Sequence, residues 1–217
     1  MNSNSSAQQS MFAMLRKFAQ PRGQAERCEF CSLELNSEHR HVLETATRKI
    51  SCACDSCALR FDNVVGQWKL IPRDARRLPD FQMTDPQWES FSLPINLAFF
   101  FHSTPAKKII ALFPSPAGAT ESLVQLTTWE TLVLENPVLS EIQSDIEALL
   151  VNRLNSSRDY FLAPIDVCFE LVGIIRLHWR GLSGGEKVRT EIEKFFAKLN
   201  SAARVIRIAA NEEVAHA

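Results

Sequence analysis

Cys28-Glu-Phe-Cys31 and Cys52-Ala-Cys54-Asp-Ser-Cys57 hold five of the six cysteines in this 217-residue chain. Their spacing decides how the N-terminal part must fold. Cys28/Cys31 and Cys54/Cys57 form two C-x2-C pairs with twenty-two residues between them. Each pair makes a tight turn that aims two sulfurs at one point, and the intervening chain lets the two turns face each other across an ion. Thiolates are soft donors that suit zinc, with iron as the alternative. A segment of this size lies under the ~40 residues below which a chain needs a staple, so the metal would supply its folding free energy. Four sulfurs also close the tetrahedron and leave no position for water or substrate. The expected unit is a zinc-ribbon or rubredoxin-like metal knob over residues 26–62.

Three further residues leave the ligand set open. Alternate residues of a strand point to one face, so Cys52 is an alternative ligand beside Cys54 or Cys57. His39 and His41 are also two apart, and each is a candidate ligand or a group that supports one. His41-Val-Leu-Glu44 and Arg48-Lys-Ile-Ser-Cys52 read as strands joined around Thr45–Thr47.

The charge balance bears on partners. The whole chain has a formal net charge of −1. Within 26–62, five basic residues (Arg27, Arg40, Arg48, Lys49, Arg60) meet seven acidic ones (Glu26, Glu29, Glu34, Glu38, Glu44, Asp55, Asp62). Phosphate binding needs clustered cations, so nucleic acid is disfavoured. No apolar run approaches the ~20 residues that cross a bilayer. Arg16 and Lys17 cut short the apolar run Met11–Leu15, so a secretory leader is not expected. The expected location is the cytoplasm, where thiols stay reduced and metal is favoured over disulfides.

The rest of the chain divides into a flexible segment at 1–25, an α+β domain at 63–202 and a tail at 203–217. Met11, Phe12, Met14, Leu15 and Phe18 suggest a short docking helix within the first of these. Trp68 and Leu70 mark a half-buried strand ended by Pro72, and Thr84-Asp-Pro-Gln87 is a capping box opening a short helix. Leu97–Phe101 and Ile109–Phe113 read as a buried hairpin, followed by a loop at Ser115–Gly118. A helix follows Thr127 and stops near Asn136-Pro137. Ile142, Ile146, Leu149, Leu150 and Leu154 form a helical stripe behind Ser140. Tyr160–Leu162 is a strand, Pro164 opens a helix, and Val188, Ile192, Phe195, Phe196 and Leu199 line the last one. The fold class is therefore α+β, a small mixed or antiparallel sheet packed with several helices.

No catalytic constellation appears. Leu182-Ser-Gly-Gly-Glu186 resembles the signature of ATP-binding cassette ATPases, but no P-loop accompanies it. Ser183-x-x-Glu186 is better read as a capping box, with Arg176, Arg180 and Lys187 near a helix N-terminus that can hold an anion. Cys168 lies on an apolar helical face as a buried thiol. His102 and His178 sit beside aromatic residues in structural settings. A non-enzymatic protein is expected.

Several motifs together carry a resemblance over roughly residues 26–200. They are Cys28-Glu-Phe-Cys31, His39-Arg-His41, Cys52-Ala-Cys54 with Cys57-Ala-Leu, Leu97-Ala-Phe-Phe-Phe101, Pro114-Ser-Pro-Ala-Gly-Ala-Thr-Glu-Ser122, Pro164-Ile-Asp166 and Trp179-Arg-Gly-Leu-Ser-Gly-Gly185. The chain resembles a bacterial family of unknown function whose members look like operon neighbours of nickel–iron hydrogenase subunits. The resemblance implies a cytoplasmic accessory role in assembly, maturation or electron supply of such a hydrogenase, through contact with a hydrogenase subunit. A rubredoxin-like iron electron carrier and a zinc-ribbon nucleic-acid-binding regulator are the alternatives.

Overall fold

Every residue of Leu97-Ala-Phe-Phe-Phe101 is buried, which requires cover on both faces of one strand. In the computed structural model, which describes residues 26–61, 66–122, 126–181 and 184–207, that cover comes from two helical layers. The fold is α+β. The central sheet uses β4 (Arg76–Arg77), β5 (Leu97–Ser103), β6 (Lys108–Ser115), β7 (Gly118–Ser122), β8 (Glu147–Asn152), β9 (Asp159–Pro164) and β10 (Arg204–Val205). Their order is β10-β4-β9-β8-β5-β6-β7, antiparallel throughout except for the parallel β10–β4 edge pair.

Strand alternation sorts the apolar side chains into two cores. Phe99, Phe101, Ile110, Leu112, Leu150 and Phe161 face α4 (Ile165–His178) and α5 (Gly185–Ala202), meeting Cys168, Leu171, Phe195 and Phe196. Phe100, Ala111, Leu149 and Leu162 face the other way. There they meet Trp88 of α2 (Asp85–Ser90) and Trp129 and Leu132 of α3 (Leu126–Glu135), with Val138 and Leu139 of the 3-10 turn Pro137–Glu141. The expected capping box holds α2: Gln87 N–H donates to Thr84 Oγ1, and the Gln87 side chain accepts from Thr84 N–H.

One expected helix is a strand. Residues 147–152 form β8, paired on one side with β5 and on the other with β9. A central strand covered on both faces shows no alternation. Its apolar run also contains Ile146, Leu149 and Leu150, whose three- and four-residue spacing imitates a helical stripe. Glu147 is buried within β8 and accepts from the Arg76 guanidinium at 3.2 Å and from Gln143 N–H at 3.0 Å. Two edge strands were not expected. Ser115 pairs with Gly118 across a tight turn that leads into β7, and Arg204–Val205 of the expected tail forms β10.

The cysteine-bearing part is a second sheet of three antiparallel strands, β1 (Arg40–Glu44), β2 (Lys49–Ala53) and β3 (Trp68–Leu70), in the order β2-β1-β3. Because β3 pairs with β1, this layer runs to Leu70, past the expected limit at 62. Val42 and Ala53 lie on its outer face with Ala58 of α1 (Asp55–Ala58) and with Phe61 and Trp68. Leu43 and Ile50 lie on the inner face, in the core beneath α4. Lys69 Nζ reaches Asp145 Oδ2 at 2.7 Å, and Asp145 also accepts from Thr104 N–H at 2.8 Å, so one buried carboxylate ties the two sheets together. The expected docking helix near Met11–Phe18 lies outside the described residues.

Candidate metal centre

The first cysteine pair sits on a turn closed by its own backbone. Cys28 N–H donates to Leu33 O and Ser32 N–H to Cys28 O, both at 2.8 Å, and Ser32 takes a left-handed φ of 64°. The second pair sits where β2 becomes α1. Cys54 occupies the N-cap position in extended conformation, and Ala58 N–H donates to its carbonyl at 2.9 Å. Glu29 joins the two: its N–H donates to Cys52 O, and its carboxylate accepts from Cys52 N–H, Ser51 Oγ and Lys49 Nζ. The Lys49 ammonium, with the backbone and hydroxyl donors, holds the Glu29 carboxyl below its ordinary value against the cost of its burial.

These turns bring Cys28, Cys31, Cys54 and Cys57 together, with all four sulfurs within 4.8 Å of one another. Cys31 Sγ and Cys54 Sγ are 3.7 Å apart. A tetrahedral ion with Zn–S bonds of about 2.3 Å has an edge of roughly 3.8 Å, so that separation already matches. All four are free cysteines, and the cluster is close enough to bind a metal. Cys28 and Cys54 are buried, whereas Cys31 is exposed.

Within the cluster, Cys28 and Cys57 are pushed in opposite directions. Burial opposes ionisation of Cys28, but N–H groups of Cys54, Phe30 and Cys31 point at its sulfur and lower its pKa to about 6. Hydrogen bonding with Cys54, followed by burial, pushes Cys57 up to about 12. A second thiolate beside the first is costly at this distance, and a cation at the centre removes that cost.

Cys52 departs from the expected arrangement. Strand geometry ends at Ala53, so the two-residue rule does not carry from Cys52 to Cys54. Cys52 faces the side opposite Ala53 and stands across the ladder from His41. It forms a second group with His39 and His41, whose ligand atoms lie within 4.8 Å of one another. His41 Nδ1–H donates to Asp166 Oδ2 at 2.7 Å, and this bond holds the imidazolium above its ordinary pKa. Sequence reasoning missed Asp166 as a site residue. It lies in the first turn of α4, far along the chain, and no local spacing joins it to His41.

The Leu182–Glu186 motif has a packing explanation in its described part. Leu182 and Ser183 lie outside the described residues, and α5 starts behind Gly184, which is the N-cap residue. Gly184 has φ +83°, and a Cβ there would stand 2.9 Å from Val188 Cγ1 and 3.1 Å from the Trp179 ring. Only glycine fits that approach in that conformation. The largest cavity described, about 630 Å³, lies beside this helix between Leu97, Trp179, Ile192 and Phe196. Cys168 is fully buried in the core under α4, and burial pushes its thiol well above the ordinary value. His102 Nδ1 is 3.1 Å from Ser144 Oγ, a structural contact at the end of β5.

The fold and the cluster together define an α+β protein with a four-cysteine site able to take a metal ion. Residues 27–203 match the model of a family described as Family of unknown function (DUF5947), and the chain belongs to that family. No curated protein and no solved structure matches it. Among the described residues, no helix is long and apolar enough to cross a membrane.

Proposed function

We propose that the chain is a non-enzymatic metal-binding accessory protein whose cysteine layer is a zinc ribbon held by Cys28, Cys31, Cys54 and Cys57. The observation that carries this reading is the convergence of four sulfurs at tetrahedral spacing on two turns that share little apolar core. Bound zinc would supply the cohesion that Val42, Ala53 and Ala58 alone do not. Four thiolates complete its coordination, which fits a structural role.

The layer's outer surface supports recognition of a protein. Phe30, Leu33 and Leu59 are exposed around the two cysteine turns, with Phe30 tilted against Phe61 and edge-on to Trp68 at centroid distances of 5.0 and 5.9 Å. Exposed aromatic and aliphatic side chains on a rigid support are the usual anchors of protein interfaces. Three of the cations nearby are paired: Lys49 with Glu29, Arg73 with Asp55 and Arg48 with Glu121. That pairing weakens the nucleic-acid alternative. The resemblance directs the choice of partner to a subunit of a nickel–iron hydrogenase, in the cytoplasm, during assembly, maturation or electron supply.

Affinity purification of the tagged chain from cells expressing such a hydrogenase tests this reading. Colourless protein with zinc in the cluster and a hydrogenase subunit retained is the expected result. Loss of that subunit on Phe30→Ala and Leu33→Ala substitution would tie binding to the cysteine layer. A red protein that bleaches on reduction would favour the iron carrier instead. Absence of the subunit would overturn the hydrogenase role.

A further inference from the structure

We propose a second, separate metal site built by His39, His41 and Cys52, which binds a divalent first-row transition ion and leaves one coordination position open. It goes beyond the structural zinc cluster and does not depend on it. The three residues converge from the start of β1 and from β2. The His39 and His41 rings stand edge to face with centroids 4.8 Å apart, and Cys52 is the register partner of His41. A ring nitrogen of each histidine and the Cys52 sulfur lie within 4.8 Å of one another. Bonds of about 2.0–2.3 Å place tetrahedral donors roughly 3.3–3.8 Å apart, so modest side-chain rotation closes the site on an ion.

Hydrogen bonds select the tautomer that ligation needs. His39 Nδ1 lies 3.0 Å from Asn36 O, and a carbonyl only accepts, so Nδ1 carries the proton. His41 Nδ1–H likewise donates to the Asp166 carboxylate. Both Nε2 atoms are then lone-pair donors. The His39 side chain is only 7% exposed, and among the described residues its Nε2 is buried with no partner. A buried ring nitrogen left unpaired costs free energy that a metal bond would recover. The carboxylate behind His41 is the arrangement that orients and strengthens a histidine ligand, and Glu26, 3.6 Å from His39 Nδ1, adds further negative charge.

Imidazole, imidazole and thiolate form a borderline-soft set suited to zinc, cobalt, nickel or copper rather than to calcium or magnesium. Three protein ligands leave the fourth position to water or another donor. Both histidines and Asp166 line a cavity of about 280 Å³ beside Pro72 and Arg73. Asp166, His39, His41 and Cys52 are residues that the four-cysteine cluster leaves unexplained.

Cobalt(II) titration of the full-length protein, with its four-cysteine cluster already filled by zinc, tests the site. Wild type is expected to bind one further equivalent, with visible d–d bands and a charge-transfer band from a single thiolate. Cys52→Ser and His39→Ala should each abolish that equivalent while the zinc content of the cluster stays unchanged. Cys52 bonds Glu29 only through its backbone, so its serine variant keeps that link. Asp166→Asn should weaken cobalt binding by roughly 10–100-fold. No second equivalent in wild type would overturn the proposal, and that measurement needs no variant. Equal binding by wild type and Cys52→Ser would overturn it too. A failed zinc cluster would show as four-thiolate cobalt spectra, which a one-thiolate signal does not resemble.

Discussion

Cys168 shows how one side chain's surroundings set its chemistry. It is enclosed by the core under α4, and burial raises its thiol pKa well above normal. Thiolate is the reactive form, so Cys168 should resist alkylation in the native protein and react once urea opens the core. Peptide mapping after iodoacetamide treatment at pH 8 reads this directly. Labelling of native Cys168 at the rate of an exposed thiol would contradict the packing. Its burial was legible from its place on an apolar helical stripe. So were Cys28, Cys31, Cys54 and Cys57, because C-x2-C spacing dictates a turn. Cys52 was not, because its direction depends on where β2 ends, and the strand gives way to α1 one residue later. The partnership of His41 with Asp166 had no local signal, since the docking of the small sheet on α4 creates it.

At the level of elements, β8 carries the clearest test. Leu149 and Leu150 are adjacent in sequence but belong to opposite cores. Each Leu→Ala substitution should destabilise by about 2–5 kcal/mol through the lost contacts and the cavity left behind. The two cavities open in different layers, so the double variant should lose the sum to within about 0.5 kcal/mol. Urea unfolding of the three variants measures this, and a large departure from additivity would argue for one shared environment. The hairpin β5–β6, the helices α2 to α5 and the strands of the small sheet were readable from periodicity, but of the expected capping boxes only the one at Thr84 is formed as read: α3 already contains Thr127, and α5 opens behind Gly184 with no side-chain cap. β8 was not, because double-sided burial erases alternation, and β7 and β10 are edge strands with polar, weakly patterned residues.

Across the whole molecule, stability is unevenly distributed. The seven-stranded sheet is sandwiched between two apolar cores, whereas the outer face of the three-stranded sheet has only a small cluster around Val42. If metal holds that layer, a strong chelator should raise hydrogen exchange across residues 26–61 and leave β5, β8 and β9 protected. Equal loss of protection in both sheets would show that the metal supports the entire fold instead. Under the proposed function, the cysteine layer with its exposed Phe30, Leu33 and Leu59 would carry recognition and the large sheet would serve as its base. The central claim, a four-thiolate metal centre, is tested most directly by zinc X-ray absorption on the purified Cys52→Ser chain, in which the second proposed site is removed. The account predicts one zinc per chain surrounded by four sulfurs at about 2.3 Å; a metal-free protein, or zinc coordinated by nitrogen or oxygen, would contradict it.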